Sequence, residues 1–172
     1  VITNDISNQK VTSFVEDDHG HIWIGTFRGL NRFNVYEFHQ HFCTSDERTL
    51  PDNQIQCLYK DSRSRLWVSS VNGMALYTEQ DDFIRIIMDV RSKNSVQILE
   101  DSKGRIYINT MVEIALFDEE KMTFSPVLTS VNNEIPAAAQ CFISPDDDII
   151  VASSTHLNTY DSQTYELKSS VE

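Results

Sequence analysis

Three sets of residues in this 172-residue chain have the side chains to do chemistry. His39, His41 and Cys43 alternate along one stretch. A strand period of two puts them on one face, and imidazole and thiolate are zinc ligands. A carboxylate recurs at Asp17, Asp61 and Asp101, which raises calcium binding or paired acid–base catalysis. Trp23, Trp67 and Tyr107 recur close behind, with ring faces on which a sugar can stack. A plainer expectation stands beside each set. The His-x-His-x-Cys pattern occurs once, where an outermost strand belongs, so a solvent-facing strand is expected. Each Asp opens its own turn, so the three do not converge on one site. The aromatic residues lie in stretches apolar on both faces, which points to packing. His19 and His21 flank Gly20 and read as turn and surface residues. No EF-hand loop, Gly-x-Ser-x-Gly, His-Glu-x-x-His or phosphate loop is present.

The elements that must position these residues repeat four times. Copy one runs Phe14-Val15-Glu16-Asp17, Gly20, Ile22-Trp23-Ile24-Gly25-Thr26, Gly29-Leu30 and Phe33. Copy two carries Leu58-Tyr59-Lys60-Asp61, Leu66-Trp67-Val68 and Gly73-Met74 with Tyr77; copy three carries Ile98-Leu99-Glu100-Asp101, Ile106-Tyr107-Ile108 and Ile114 with Phe117. Copy four carries Phe142-Ile143, Asp146, Ile149-Ile150-Val151 and Leu157 with Tyr160, and reads as one residue shorter at the turn, which Pro145 opens. Ile22, Leu66, Ile106 and Ile149 are 44, 40 and 43 residues apart. A period in this range signals a solenoid, propeller or array.

Within a copy the apolar runs are short and divided by turn signals, an all-β signature. Asp17 and Gly20, like Asp101 and Gly104, occupy the first and last positions of a type I turn; Asp61 with Ser64 is a weaker version. The triplets Ile22-Trp23-Ile24 and Leu66-Trp67-Val68 are apolar on consecutive residues, so both faces of that strand must be covered. A propeller does this by sandwiching each four-stranded blade between neighbours. No window shows the helical i, i+3, i+4, i+7 spacing free of turn signals.

Composition narrows the function. The chain is acidic, with a net charge of −12. That opposes nucleic-acid backbones, whose binding requires cations, and anionic membrane surfaces. No run of about 18 apolar residues occurs, so no membrane insertion is expected, and no secretion signal is recognisable at Val1-Ile2-Thr3. Three cysteines give no even disulfide framework. Cys57 and Cys141 precede Leu58 and Phe142 and so read as matching positions two units apart, too far for a bridge; buried thiols are expected.

The run Val11-x-x-Phe14-Val15-Glu16-Asp17-x-x-Gly20-x-Ile22-Trp23-Ile24-Gly25-Thr26-x-x-Gly29-Leu30-Asn31-Arg32-Phe33 resembles the two-component regulator propeller repeat. The resemblance is strong in copy one, good in copies two and three and weak in copy four, with Ser64, Ser69-Ser70, Glu113 and His156 departing from it. Such repeats build the periplasmic sensor of the hybrid two-component histidine kinases common in gut Bacteroidetes, usually as seven-bladed propellers. The resemblance therefore implies an extracytoplasmic, periplasmic module that senses glycans or their breakdown products and signals by dimer rearrangement.

The expectations are these. The fold class is all-β: a β-propeller of four consecutive four-stranded antiparallel blades, with repeats at 8–51, 52–92, 93–135 and 136–172. Four repeats leave a piece of a larger seven-bladed ring, a closed four-bladed ring or pairing between chains, and the first is preferred. Val1-Ile2-Thr3 is expected to give an outer strand to the last blade of an intact ring. The chain is read as a non-catalytic sensor, with no cofactor, no metal and no catalytic residue. Its partners would be an oligosaccharide, the remaining blades of the parent chain and a second copy in a homodimer. The alternatives are a protein–protein scaffold and a propeller-type glycan hydrolase or lyase. Asn8, Asn53 and Asn94 each precede an innermost strand, in loops that would ring one mouth of the channel. They are the candidate ligand contacts, against the plain preference of Asn for turns.

Overall fold

The computed structural model describes residues 1–130 and 140–172. Its strands are β1 (Ile2–Thr3), β2 (Val11–Glu16), β3 (Ile22–Thr26), β4 (Gly29–Phe33), β5 (Phe38–His41), β6 (Ile55–Lys60), β7 (Leu66–Ser70), β8 (Gly73–Tyr77) and β9 (Phe83–Met88). They continue as β10 (Gln97–Glu100), β11 (Ile106–Asn109), β12 (Glu113–Asp118), β13 (Thr123–Thr129), β14 (Gln140–Ile143), β15 (Ile149–Ala152), β16 (Leu157–Tyr160) and β17 (Leu167–Val171). Among the described residues there is no helix. The boundary drawn between repeats at 135/136 lies outside the described residues.

The chain forms two compact units: residues 1–87 with 93–95, and residues 88–92 with 96–172. In the first, β2 to β5 form one antiparallel meander and β6 to β9 another. The second holds the meanders β10 to β13 and β14 to β17. The doubly apolar strands are covered: Trp23, Trp67 and Tyr107 are each 0% exposed. Trp23, Leu30, Ile55, Val68 and Phe83 join the two sheets of the first unit in one core. Tyr107, Ile114, Leu128, Cys141, Val151 and Tyr160 do the same in the second.

The turn after the first strand of each meander is built identically. Gly20 N donates to Asp17 O, Ser64 N to Asp61 O, Gly104 N to Asp101 O and Asp147 N to Ser144 O, at 2.9–3.1 Å. The donors all have left-handed backbone: φ is 78° at Gly20, 62° at Ser64, 74° at Gly104 and 65° at Asp147. Glycine adopts that region freely, while serine and aspartate adopt it at a cost. Copy four is therefore not shortened, contrary to the sequence expectation. Ser144 takes the Asp position, and Ile143 pairs Ile149 as Glu16 pairs Ile22. The register also moves Cys141. It lies opposite Val151, as Leu58 lies opposite Val68, whereas Cys57 lies opposite Ser69. The two cysteines are thus one position apart, because Pro145 and Asp146 sit inside the turn rather than at its start. All three cysteines are free thiols, and burial pushes Cys57 and Cys141 up to about 12.

A second correction concerns the N-terminus. β1 pairs antiparallel with β5, Ile2 opposite His39 and Thr3 opposite Phe38. Val1 and Gln40 exchange backbone bonds, Gln40 N to Val1 O at 2.6 Å and Val1 N to Gln40 O at 2.9 Å. The segment thus satisfies the ladder of the first sheet rather than that of a last blade, and β5 is not outermost.

The Asp61 carboxylate is fully enclosed, and Arg65 Nε donates to it at 2.6 Å and Trp67 Nε1 at 2.8 Å. Asp61→Ala should destabilise the first unit by about 3 kcal/mol, since it strands a guanidinium and an indole N–H. Asp18→Ala, which removes an exposed pair with Lys60, should leave the midpoint almost unchanged. Urea titration followed by tryptophan fluorescence reads this directly, because both tryptophans lie in the first unit. Equal midpoints for the two variants would refute the assignment.

Candidate functional site

In a meander, alternate turns lie at opposite ends of the sheet. One end of the first unit carries the β2–β3, β6–β7 and β8–β9 turns. There a cavity of about 510 Å³ is lined by Asp17, His21, Trp23, Arg32, Tyr77 and Glu79, among others. Asp17 Oδ1 accepts from His19 N at 2.9 Å and His21 N at 3.0 Å. Asp17 Oδ2 accepts from Trp23 Nε1 at 2.9 Å and lies 3.1 Å from His21 Nδ1. Burial opposes ionisation of Asp17, but the indole and backbone donors outweigh it and hold the carboxyl below its ordinary range. The same balance lowers Asp61.

On the cavity's other wall, Arg32 Nη1 donates to Tyr77 OH at 2.6 Å and lies 3.3 Å from Asp81 Oδ1; Tyr77 OH donates to that oxygen at 2.7 Å. Burial and the neighbouring Asp81 push the Tyr77 phenol up, so it stays a neutral donor. The Arg32 guanidinium sits 5.5 Å from the Trp23 ring and 5.9 Å from Tyr77, a cation–π arrangement. Asp17, Trp23, Arg32 and Tyr77 here already have protein partners.

His41 lies behind this wall. Its ring stacks on Trp23 at 5.6 Å and meets Phe83 edge-on at 5.5 Å. Its side chain is only 11% exposed. The expected solvent-facing strand is therefore overturned at His41, because Tyr77 and Phe83 of the next sheet cover the face it occupies. His39 instead lies 3.2 Å from Glu37 Oε1, and Cys43 Sγ is 3.5 Å from Pro51 O. Among the described residues no three His, Cys, Asp or Glu side chains are grouped as a metal ion would need.

The opposite end of the first unit holds a cavity of about 480 Å³, lined by Ile6, Ser7, Arg28, Gln40, Phe42 and Asn53. Of the three candidate asparagines, only Asn53 lines it. Asn53 Oδ1 accepts from Cys43 N at 2.7 Å, and its carbonyl from Gly29 N at 2.7 Å. Asn8 Oδ1 accepts from Lys10 N at 2.8 Å, a local turn. Asn94 precedes β10 at intermediate burial. The three are not brought together in one site. Full burial removes Trp23, Trp67 and Tyr107 as stacking platforms.

The sequence reading missed Arg32, Tyr77 and Asp81, whose contact spans more than 40 residues of chain. It also missed a periodic signal. Trp23 and Trp67 stand six residues after their Asp, and Arg65 and Arg105 four after theirs. Those spacings are the carboxylate's partners: Arg105 Nε reaches Asp101 Oδ2 at 2.5 Å, as Arg65 reaches Asp61.

Residues 5–28 and 49–72 match the two component regulator propeller family. Among solved structures, the chain is similar to the extracellular domain of a B. thetaiotaomicron protein assigned as a hybrid two component system, at 19% identity and TM-score 0.73. That match covers 92% of this chain and 24% of the other. A second such domain from the same organism matches at 16% identity and TM-score 0.70, covering 97% and 31%. Virginiamycin B lyase from Staphylococcus aureus matches at 12% identity and TM-score 0.69, covering 98% and 58%. No curated protein sequence matches. The chain spans about a quarter to a third of the length of the regulator domains. At these identities the likeness carries the fold: all-β, antiparallel sheets, with propeller-like neighbours.

The buried imidazole makes a pH prediction. Burial lowers His41 to about 4, with Arg32 adding to the effect and Asp81 opposing it. The folded state thus refuses a proton that the unfolded chain takes below about 6.5. Stability should fall by a few kcal/mol as pH drops from about 6.5 toward 4. His41→Phe keeps the ring packing and should flatten that slope, as read by urea midpoints at several pH values. A wild-type slope no steeper than the variant's would rule it out.

Proposed function

We propose that this chain is a run of four consecutive blades from a larger β-propeller in the extracytoplasmic, periplasmic sensing region of a hybrid two-component regulator. It recognises glycans or their breakdown products and does not turn them over. The carrying observation is the pair of matches to a regulator propeller repeat, one in each sheet of the first unit. Three features support the reading. Each repeat is a four-stranded antiparallel meander. Phe14 and Phe142, on the first strands of the first and last meanders, are 75% and 47% exposed, which suits cover by further blades. The recurring carboxylates are fully occupied by donors of their own turns, which leaves none free as acid, base or nucleophile.

The likeness to a lyase makes turnover the first test. Oligosaccharides incubated with the protein should remain intact, and a subset should raise the melting temperature, since a ligand bound only by the folded state stabilises it. Cleavage would overturn the non-catalytic reading. A flat screen across neutral and acidic glycans would overturn recognition and favour a protein–protein scaffold.

A further inference from the structure

The first-unit cavity that Asn53 lines contains a cation whose side chain has no protein partner among the described residues. In this chain of net charge −12, Arg32, Arg48, Lys60 and Arg65 of the same unit each lie on a carboxylate. Arg85 donates to the carbonyls of Thr49 and Leu50. Among the described residues the Arg28 side chain has no hydrogen bond and no carboxylate partner. The backbone that carries it is nonetheless held in place. Thr26 Oγ1 accepts from Arg28 N at 3.0 Å and donates to Gly29 O at 2.9 Å. Gly29 has φ 111°, and a Cβ there would meet Phe42 Cε1 at 2.8 Å and His41 O at 2.9 Å. The β3–β4 turn is thereby wedged on Phe42, with Arg28 at its tip. Lys10 stands beside it, Nζ 3.7 Å from the Phe27 ring centroid.

The other lining groups complement that charge. Asn53 uses Oδ1 on Cys43 N, which leaves Nδ2 to donate. Phe42 supplies an apolar ring. A guanidinium prefers a carboxylate in a forked pair, an amide suits a hydroxyl, and an aromatic face suits the C–H face of a pyranose.

We propose that this cavity binds a uronic acid, free or at the end of an oligosaccharide: carboxylate on Arg28, a hydroxyl on Asn53 Nδ2, ring face on Phe42. This deepens the recognition reading above and rests on it. The test is isothermal titration of the whole chain with a glucuronate-terminated disaccharide, its neutral glucose-terminated counterpart and inorganic sulfate. The wild type should bind the uronate about tenfold more tightly than the neutral sugar. Arg28→Ala should erase that preference, and Arg28→Lys should restore part of it. Lys103→Ala removes the same charge in the second unit and should change nothing. Equal affinity for the two sugars, sulfate binding as tight as the uronate, or an equal loss in Lys103→Ala would each overturn the proposal. Binding of neutral glycans alone overturns it while leaving the sensor reading standing. Binding of no glycan at all removes both.

Discussion

A carboxylate closed inside a short turn is the constraint on which the rest of each of the first three repeats depends. A buried charge costs several kcal/mol unless nearly every lone pair is met. Asp61 meets that demand completely. Oδ1 takes the backbone N–H groups of Arg63 and Arg65, and Oδ2 takes the Arg65 guanidinium and the Trp67 indole. The first pair fixes the turn. The second reaches into the next strand and fixes the orientation of the large ring that packs in the core. Turn, strand pairing and packing are thus set by one side chain. Copy four shows the converse. There Ser144 Oγ accepts from Asp148 N at 3.0 Å, enough to close the turn, and the residue in the tryptophan position is Ile150, with no N–H to satisfy. Copy three lies between the two: Asp101 keeps its backbone and Arg105 donors, while Tyr107 stands where the tryptophan would.

This coupling explains what could be read in advance. Period, strand order and turn positions were legible because each rests on local chemistry: Asp at the turn, a small or left-handed residue three on, then consecutive apolar residues. The register of copy four was not legible. Pro145-Asp146-Asp147 offers turn residues at several offsets, and only the pairing of Ile143 with Ile149 selects among them. The partner of β1 was hidden for a different reason. A two-residue strand has no pattern of its own, and its place is decided by which edge offers free backbone groups. His41 was misjudged because its cover comes from Tyr77 and Phe83, on another sheet. The cluster of Arg32, Tyr77 and Asp81 was invisible on the same ground.

The two ends of the first unit divide along chemical lines. At the cavity beside Trp23, four groups are closed on one another: Asp17 on its turn and Trp23, Arg32 on Tyr77 and Asp81. A ligand entering there would have to exchange existing bonds for new ones, with little net gain. Its rings and ion pairs serve instead to join the two sheets. At the cavity lined by Asn53 the backbone is equally firm, but neither the Arg28 guanidinium nor Asn53 Nδ2 has a hydrogen-bond partner among the described residues.

A ligand displacing water from Arg28 gives up only hydration, while the turn that carries the guanidinium is already held by Thr26, Gly29 and Asn53. On binding the turn backbone needs little further ordering, and the entropy cost falls on the Arg28 side chain. Acidity of the surrounding chain sharpens the choice. A strongly acidic protein can thus select an acidic ligand, because one positively charged loop stands out more clearly on a negative surface than it would on a neutral one.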